Sequence, residues 1–402
     1  MPKPHVRHVR SLVLALVALL TVGLVVAPTA SALATPKAVT ARATSPTSIK
    51  VHWTASPGAT RYTIRISRTR TGRAVLTKRV PKGHTALRIN KLSRAKLKLP
   101  RSFFVTVRAY RGKKVARNSR AVAVTLPYPQ PAATAAMTLT VGSYNVMKST
   151  KKDRQGRDWA HRVGLLAANI RAMHADIVGV QEATWDLQPG PGIKSPVKAL
   201  AKGAGLAVAM NPKAPATPCN LHSQHILYRP SVFKLTSCGT KQLHGGSDAR
   251  FVTWAVLRNH NGSSVFAVNT HLSTGSSHAA DKLRATEAKI VIRTIAATNR
   301  KHLPVILTGD MNSFYGRATT TPLSLYSSHG LVGADLTARR VSHINSYSAH
   351  GFAATKPYGL RIDHILGSAD VAALSFAVDV SNYRTAPSDH FPIQARLAIY
   401  ER

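Results

Sequence analysis

The sequence predicts a multidomain protein in which an N-terminal all-β sandwich precedes an α/β (α+β) domain. From residue 35 to residue 126, apolar residues alternate with polar ones in short runs separated by turn residues, as in antiparallel strands. Residues 127–137 are rich in Pro and Ala and predict a linker. From residue 138 to residue 402, strand-like runs mix with helical spacing, which predicts an α/β domain.

The first 34 residues are typical of a secretory signal peptide. Lys3, Arg7 and Arg10 precede an apolar run from residue 12 to residue 27, and small residues follow at two alternative cleavage sites, Ala30-Ser31-Ala32 and Ala32-Leu33-Ala34. The run is shorter than a membrane span needs. We therefore expect a secreted, extracellular protein with no transmembrane segment after signal removal, an uncleaved anchor being the alternative.

The chain is strongly basic. It carries 56 Lys and Arg against 15 Asp and Glu, a formal net charge of +41, and residues 33–127 hold 23 Lys and Arg with no acid. This charge predicts affinity for polyanions, among them nucleic acid, anionic lipid surfaces and acidic wall polymers. Because the β-sandwich has no helix to enter a groove, we expect any nucleic-acid binding there to be non-specific and sensitive to salt.

Three groups of alternating residues define the core of the predicted sandwich. They are Ile49, Val51 and Trp53; Tyr62, Ile64 and Ile66; and Phe103, Val105, Val107 and Ala109. The runs SIKVHWTAS and LPRSFFVTVRAY resemble the second and sixth strands of a fibronectin type III module. Phe103 stands where that family usually has Tyr, so the resemblance implies no tyrosine-corner hydrogen bond.

The two cysteines, Cys219 and Cys238, predict a disulfide in an exported protein. The intervening segment looks like two short strands around Arg229-Pro230, which would bring the cysteines together. Two unpaired buried thiols are the alternative, and we do not expect this pair to bind metal.

Polar residues of one chemical kind stand where the apolar runs of the second domain end. They are Asn145, Glu182, His271, Asp310, Asn312, Asp363, Asp389 and His390. Residues at the ends of adjacent strands converge on one patch from distant sequence positions. Carboxylate and amide oxygens without Cys suit a hard cation, Mg²⁺ first, with Mn²⁺ and Ca²⁺ as alternatives. Two histidines add a general base and a donor to developing phosphate charge.

The stretch VILTGDMNS, residues 305–313, shows how one strand can supply two of these groups. Alternation would turn Asp310 and Asn312 to the same side of an extended segment, with Met311 facing away. Gly309 would let the backbone of a neighbour come close. A turn explains these nine residues equally well when they are taken alone.

Residues 138–402 resemble the endonuclease/exonuclease/phosphatase superfamily. The motifs SYNV, VGVQEA, NTHL, LTGDMNS, RIDHIL and SDHFPI occur in the order of that family. The resemblance implies two β-sheets packed face to face with helices outside, and hydrolysis of a phosphate ester by water activated by a metal and a histidine.

The resemblance also implies roles for individual residues. Glu182 would be the main metal ligand, with Asn145 holding the metal or the attacking water and Asp389 near the metal. Asp310 and Asn312 would orient the water and contact the scissile phosphate. His271 would donate to a phosphate oxygen or the leaving group. His390 would be the general base, with Asp363 fixing its tautomer.

Departures from the family pattern narrow the predicted function. Met147 stands where apurinic endonucleases carry an acid, whereas His271 is shared with the deoxyribonuclease, phosphatase and sphingomyelinase branches. We expect a secreted metal-dependent phosphodiesterase, a non-specific (deoxyribo)nuclease. A sphingomyelinase- or inositol-phosphatase-like hydrolase is the alternative, and an inactive polyanion-binding surface protein is the second. Arg250 and the helix face Arg284–Arg293 are either phosphate contacts or a solvated basic face. The sequence does not indicate whether the protein is a monomer or an oligomer.

Overall fold

The computed structural model describes residues 32–98, 100–130, 134–184, 195–209, 219, 224–243, 250–343, 346–352, 361–380 and 384–401. The predicted signal peptide, apart from residues 32–34, lies outside these ranges. Residues 33–402 form a single compact unit. Of the helices in the described ranges, none combines the length and the apolarity that crossing a bilayer requires.

The N-terminal part consists of two antiparallel sheets. Its elements are β1 (Lys37–Ser45), β2 (Ser48–Thr54), β3 (Arg61–Ser67), β4 (Ala74–Pro81), β5 (Ala86–Ile89), the short helix α1 (Arg94–Leu97), β6 (Ser102–Arg111), β7 (Lys114–Val115) and β8 (Val122–Thr125). One sheet has the order β1-β2-β5, and the other has β4-β3-β6-β7 with β8 also paired to β6. The region is therefore β-rich as expected, while its assignment as a fibronectin type III module stays a prediction.

A single apolar core lies between these two sheets. Trp53 and Phe103 are fully buried in it, and the Trp53 and Tyr62 ring centroids are 5.3 Å apart. The hydroxyl oxygen of Tyr62 accepts a hydrogen bond from the Ser56 N–H at 2.9 Å. The core therefore gains both apolar burial and a satisfied buried hydroxyl.

The C-terminal part contains two larger sheets and five helices among its described residues. Its strands are β9 (Met137–Asn145), β10 (Ile177–Gln181), β11 (Ala207–Val208), β12 (His225–Tyr228), β13 (Phe233–Gln242), β14 (Phe251–Asn259), β15 (Ser264–His271), β16 (Val305–Asp310), β17 (Val332–Gly333), β18 (Arg340–Ser342), β19 (Asp363–Gly367), β20 (Val371–Val378) and β21 (Ile393–Ile399). Its helices are α2 (Trp159–Ala172), α3 (Pro196–Ala204), α4 (His278–Thr298), α5 (Pro322–Ser328) and α6 (Ala334–Thr337).

The two sheets pack face to face with helices outside, as the sequence predicts. Their strand orders are β11-β12-β10-β9-β21-β20-β18 and β13-β14-β15-β16-β19-β17. One apolar cluster fills the space between the sheets. A second cluster lies under α2 and α3, and a third lies under α4 and α5. The buried strands on both sheets are consequently apolar on both faces.

A buried polar network ties the two sheets together below the strand ends. Asn269 of β15 donates through Nδ2 to the Val180 and His225 carbonyls at 2.8 and 2.9 Å, and accepts from Gln181 Nε2 at 2.7 Å. Thr308 also donates to the Asn269 side chain, at 3.2 Å. A side chain at Gly179 would collide with Thr308 and Asn269, so only glycine lets the sheets approach this closely.

Cys219 and Cys238 form a disulfide with a Cα–Cα distance of 5.7 Å. The predicted strands on either side of Arg229-Pro230 are β12 and β13, but they do not pair with each other. Instead, β12 belongs to one sheet and β13 to the other. The two predicted strands are therefore present on either side of Arg229-Pro230, but they do not form a local pair.

The β-sandwich contacts the C-terminal part directly. Arg70 Nη1 donates to the Gly316 carbonyl at 3.2 Å, and the hydroxyls of Ser102 and Ser327 are 3.1 Å apart. Between the two parts, the Arg101 guanidinium lies over the Tyr128 ring, 3.4 Å from its centroid. The boundaries at residues 126 and 138 stay a prediction.

Candidate active site

The ends of five strands meet at one edge of the two sheets. In β9 and β10, Asn145 is paired with Gln181, which places Glu182 beside Asn145. In the other sheet, His271 is paired with Asp310, and Asp310 is paired with Asp363. Strand register alone therefore gathers these groups from distant positions in the chain.

Asn145 stands between two carboxylates. Its Nδ2 donates to Glu182 Oε1 at 3.0 Å and to Asp310 Oδ2 at 3.1 Å, while its Oδ1 accepts from the Met147 N–H at 3.0 Å. Glu182 Oε2 accepts from the Lys148 N–H at 2.9 Å. With this amide orientation, Asn145 positions both carboxylates.

Asp310 is the most connected group of the site. Its Oδ1 accepts from the Asn312 N–H at 2.8 Å, and its Oδ2 lies 3.4 Å from His271 Nε2 and 3.7 Å from His390 Nε2. Burial, followed by the charge of nearby Asp363, raises the pKa of Asp310 to about 7. The carboxyl therefore changes protonation near neutral pH.

His390 and Asp363 form a hydrogen-bonded dyad, in which Nδ1 lies 2.8 Å from Asp363 Oδ2. Burial lowers the pKa of His390, but the carboxylates of Asp363 and Asp310 outweigh burial and raise it to about 10. The bond to Asp363 fixes the ring so that Nε2 faces Asp310.

His271 is buried and neutral. Burial first, then the positive charges of Arg250 and His390, hold its pKa well below the ordinary value. Asn312 Nδ2 donates both to the Leu272 carbonyl at 2.9 Å and to His271 Nε2 at 3.1 Å, so Nε2 is an acceptor. In this arrangement Asn312 orients the His271 ring, and Nε2 lies 3.4 Å from Asp310 Oδ2.

The VILTGDMNS stretch differs from its prediction in one respect. Strand β16 ends at Asp310, and Asn312 adopts a left-handed backbone with φ 44°, so strand alternation does not aim its side chain. Met311 faces away into the core, as expected. A Cβ on Gly309 would collide with the Thr270 carbonyl oxygen, so the predicted close approach of the backbone is present.

Left-handed backbone recurs at the site, at Met147 and Glu182 as well as at Asn312. For a non-glycine residue such a conformation costs on the order of 1 kcal/mol or more, and it persists only where the surroundings impose it. At Met147 and Asn312, the backbone N–H groups donate to the side-chain oxygens of Asn145 and Asp310, and these hydrogen bonds impose it.

Asp389 lies partly exposed at the rim. Its backbone carbonyl accepts from the His350 and Gly351 N–H groups at 2.8 and 3.0 Å. The buried His350 ring lies against Phe391, with centroids 4.3 Å apart. Burial, with His390 next in size, lowers the pKa of His350 to about 4, so this third histidine near the site stays neutral at pH 7.

The basic residues proposed as phosphate contacts fall into different places. Arg250 is buried, close enough to His271 to lower its pKa. Arg284 is fully buried and donates to the Ser273 and Gly275 carbonyls at 2.9 and 3.0 Å. Arg284 is therefore neither a phosphate contact nor part of a solvated basic face, and both predictions for it are wrong. Instead, it supports the loop after His271. Arg293 of the same helix is exposed.

Arg162 is a supporting residue that sequence reasoning missed. It is fully buried on α2 and donates to five carbonyls on the loops that flank the site. The acceptors are Val146 (2.9 Å), Met147 (3.2 Å), Lys148 (2.9 Å), Lys151 (3.2 Å) and Pro387 (2.8 Å). Its position three residues after Trp159 and four before Leu166 puts it on the apolar face of the helix, and this was the available signal.

Two serines, also missed, fix the loops that carry the dyad. Ser388 donates to the Asn145 carbonyl at 2.7 Å and accepts from the His390 N–H at 3.2 Å. Ser348 Oγ accepts from the Asp363 N–H at 3.0 Å. Serines are common in loops, so no pattern in the sequence distinguishes these two.

The donor set fits a divalent cation. Ligand atoms of Asp310, Asp363 and His390 lie within 4.8 Å of one another, and Asp363 Oδ1 is buried with no hydrogen-bond partner in the described ranges. His390 Nδ1 is occupied by Asp363, however, whereas Glu182 and Asp389 are only partly buried. Mg²⁺ keeps several waters and takes few carboxylates, and the assignment of Glu182 and Asp389 as its ligands stays a prediction.

Solved structures of known proteins share this fold. An endonuclease/exonuclease/phosphatase family protein from Bacteroides thetaiotaomicron is similar with a TM-score of 0.54 and 23% identity, over 66% of this chain and 99% of the other. The mannosyl-6-phosphatase Bt3783 of the same organism is similar with a TM-score of 0.53 and 23% identity, over 65% and 100%. At these identities the likeness concerns the fold.

Sequence comparison gives the family. None of the curated proteins compared with the chain is significantly similar to it. The profile described as Endonuclease/Exonuclease/phosphatase family matches residues 142–390, more than half of the chain, and this span contains all the candidate site residues. The chain therefore belongs to the endonuclease/exonuclease/phosphatase family, whose members are hydrolases that act on phosphoesters.

Proposed function

We propose that this protein is a secreted, divalent-metal-dependent phosphodiesterase that cleaves nucleic acid without sequence specificity. The observation that carries the choice of substrate is charge. A net charge of +41, with 23 Lys and Arg and no acid in residues 33–127, favours a long polyanion over a small phosphoester. The export signal predicted for residues 1–34 supports secretion.

Glu182, Asp389 and Asn145 would hold the cation, and the Asn145 amide links Glu182 to Asp310. When bound, a divalent cation neutralises phosphate charge and lowers the pKa of a water molecule. Family members generally use divalent metals, which supports this assignment.

The Asp310–His390 pair handles the proton of the attacking water. Asp310 Oδ2 and His390 Nε2 are 3.7 Å apart and face each other, so a water between them can pass its proton to the pair. Asp363 holds His390 through Nδ1 and keeps Nε2 directed at Asp310. Asn312 holds the neutral His271 ring so that Nε2 lies 3.4 Å from Asp310 Oδ2, and the proton taken up by the Asp310–His390 pair is the one available to the leaving oxygen.

The test uses purified protein with plasmid DNA, RNA, sphingomyelin and bis(p-nitrophenyl) phosphate, in Mg²⁺ or in chelator. The proposal predicts chelator-sensitive cleavage of DNA that both Asp310→Ala and His390→Ala abolish. Cleavage of sphingomyelin alone would replace nucleic acid by a phospholipid. Turnover of no substrate, with salt-sensitive DNA binding intact, would make the protein an inactive polyanion binder.

A further inference from the structure

A cavity of about 780 Å³ lies between the β-sandwich and the C-terminal part. The wall on the sandwich side consists of residues 39–42 of β1 and residues 120–124 before and within β8. Phe314, Tyr347 and Arg361 are among the residues on the other side. This volume lies within the range of about 300–1,000 Å³ that is usual for ligand sites.

The cavity is strongly positive. Arg42, Arg70, Arg120 and Arg361 line it, and Asp335 is the one acid among the described residues that line it. Asp335 is already paired with Arg361, at 2.9 Å. Three of the arginines, Arg42, Arg70 and Arg120, are solvent-exposed, so the cavity is open to a ligand from outside. An anionic ligand would therefore find charges that the protein does not neutralise internally.

The C-terminal wall of the cavity and the candidate active site are built from the same segments. Phe314 follows Asn312 by two residues, and Arg361 precedes Asp363 by two. Two residues span at most about 7 Å of chain, so the wall begins next to the site. Tyr347 directly precedes Ser348, which accepts the Asp363 N–H.

Aromatic side chains face the arginines across this cavity. Phe314 and Tyr347 line it and are half-buried, which leaves part of each ring accessible. Proteins that bind single-stranded nucleic acid combine a positive groove for the phosphates with aromatic rings on which bases stack. The β-sandwich alone offers charge with little aromatic surface, and the second domain supplies the rings.

We propose that this cavity binds a single-stranded stretch of nucleic acid that continues from the scissile phosphate. Arg42, Arg70 and Arg120 of the β-sandwich contact its phosphates, and Phe314 and Tyr347 contact its bases. The assignment rests on the proposed nuclease function, and it gives the β-sandwich a part in substrate binding.

The first experiment measures binding of a fluorescein-labelled oligothymidylate to the full chain in chelator, by anisotropy at several salt concentrations. The double variant Arg42→Gln/Arg120→Gln should bind on the order of tenfold more weakly, with a slope against log salt smaller by about 1.4. The control Arg79→Gln/Arg88→Gln removes the same charge from exposed positions outside the cavity. Equal weakening by both pairs would overturn the proposal.

A second variant separates base stacking from charge. Phe314→Leu should weaken oligothymidylate binding by roughly fivefold or more, as loss of one stacked base does, without changing the binding of inorganic polyphosphate. An equal effect on both ligands, or no effect on either, would show that the cavity does not recognise bases.

Hydrolysis of bis(p-nitrophenyl) phosphate by the wild-type protein distinguishes the two proposals. If the diester is hydrolysed but the cavity pair and the control pair bind oligothymidylate equally, the cavity proposal alone is overturned. If no phosphodiester is hydrolysed in Mg²⁺, the proposed function fails, whatever the binding data.

Discussion

Arg162→Met tests whether buried support, rather than the catalytic groups alone, maintains the site. The substitution keeps the volume but removes a cation from the centre of five carbonyls that lie 2.8–3.2 Å away. A hydrogen bond to a charged group contributes about 1.5–3 kcal/mol, and contributions from one network do not add fully. We expect the free energy of unfolding to fall by about 4 kcal/mol or more.

Activity should fall as well, because two of the loops tied by Arg162 carry site residues. Val146 follows Asn145, and Pro387 precedes Asp389 and His390. A shift of these groups should lower kcat/KM by roughly 100-fold in protein that is still folded. The loss should appear mainly in kcat, since the substrate-binding surface is unchanged.

Urea unfolding, followed by circular dichroism, measures stability, and phosphodiester hydrolysis measures kcat/KM at a temperature where each variant is folded. The matched control is Arg171→Met on the same helix, where the exposed guanidinium donates to the single carbonyl of Gly203. We expect the control to change stability by about 1 kcal/mol or less. Equal effects of the two substitutions would refute the role of Arg162.

Three further predictions concern other parts of the molecule. Replacing Cys219 and Cys238 by Ala should lower the free energy of unfolding by about 3 kcal/mol, because the disulfide closes a loop with a sequence separation of 19; an unchanged urea midpoint would contradict this. His350 has its pKa lowered to about 4, so folding holds it neutral, and stability should be lost as pH falls from 6.5 through about 4. His350→Phe should remove up to about 3 kcal/mol of that pH dependence in urea titrations, and identical pH curves would count against it. Asp310→Asn should abolish hydrolysis without lowering Tm in chelator, since the buried carboxylate is costly to ionise; a Tm drop of several degrees would show that Asp310 stabilises the fold.

The sequence was sufficient to predict that the candidate residues lie together, because they stand at strand ends. Asn145, His271, Asp310 and Asp363 each stand at the end or the beginning of a strand that is apolar on both sides. Register then places them together without any information beyond the order of the strands. The face-to-face sheets with outer helices followed from the family resemblance and are present.

The features that sequence reasoning missed depend on tertiary contacts. The left-handed turn at Asn312 is stabilised by the Asp310 carboxylate and by the carbonyl of Leu272, which follows β15. The strands β12 and β13 between the two cysteines belong to different sheets, so a local strand pair does not explain the disulfide. Arg284 was expected on a surface because arginines usually are, but its position four residues before Ala288 places it on the buried face of α4.

The most direct test of the account is the rate of DNA cleavage by the wild-type protein and by Glu182→Gln across a Mg²⁺ titration that starts from chelated protein. Glutamine keeps the size of the side chain and removes its charge, so a metal ligand should lose both affinity and rate. The account predicts no cleavage in chelator, recovery with Mg²⁺, and a titration for Glu182→Gln that is shifted to at least tenfold higher Mg²⁺, consistent with loss of a carboxylate ligand. Cleavage that persists in chelator, or superimposable titrations for the two proteins, would contradict it.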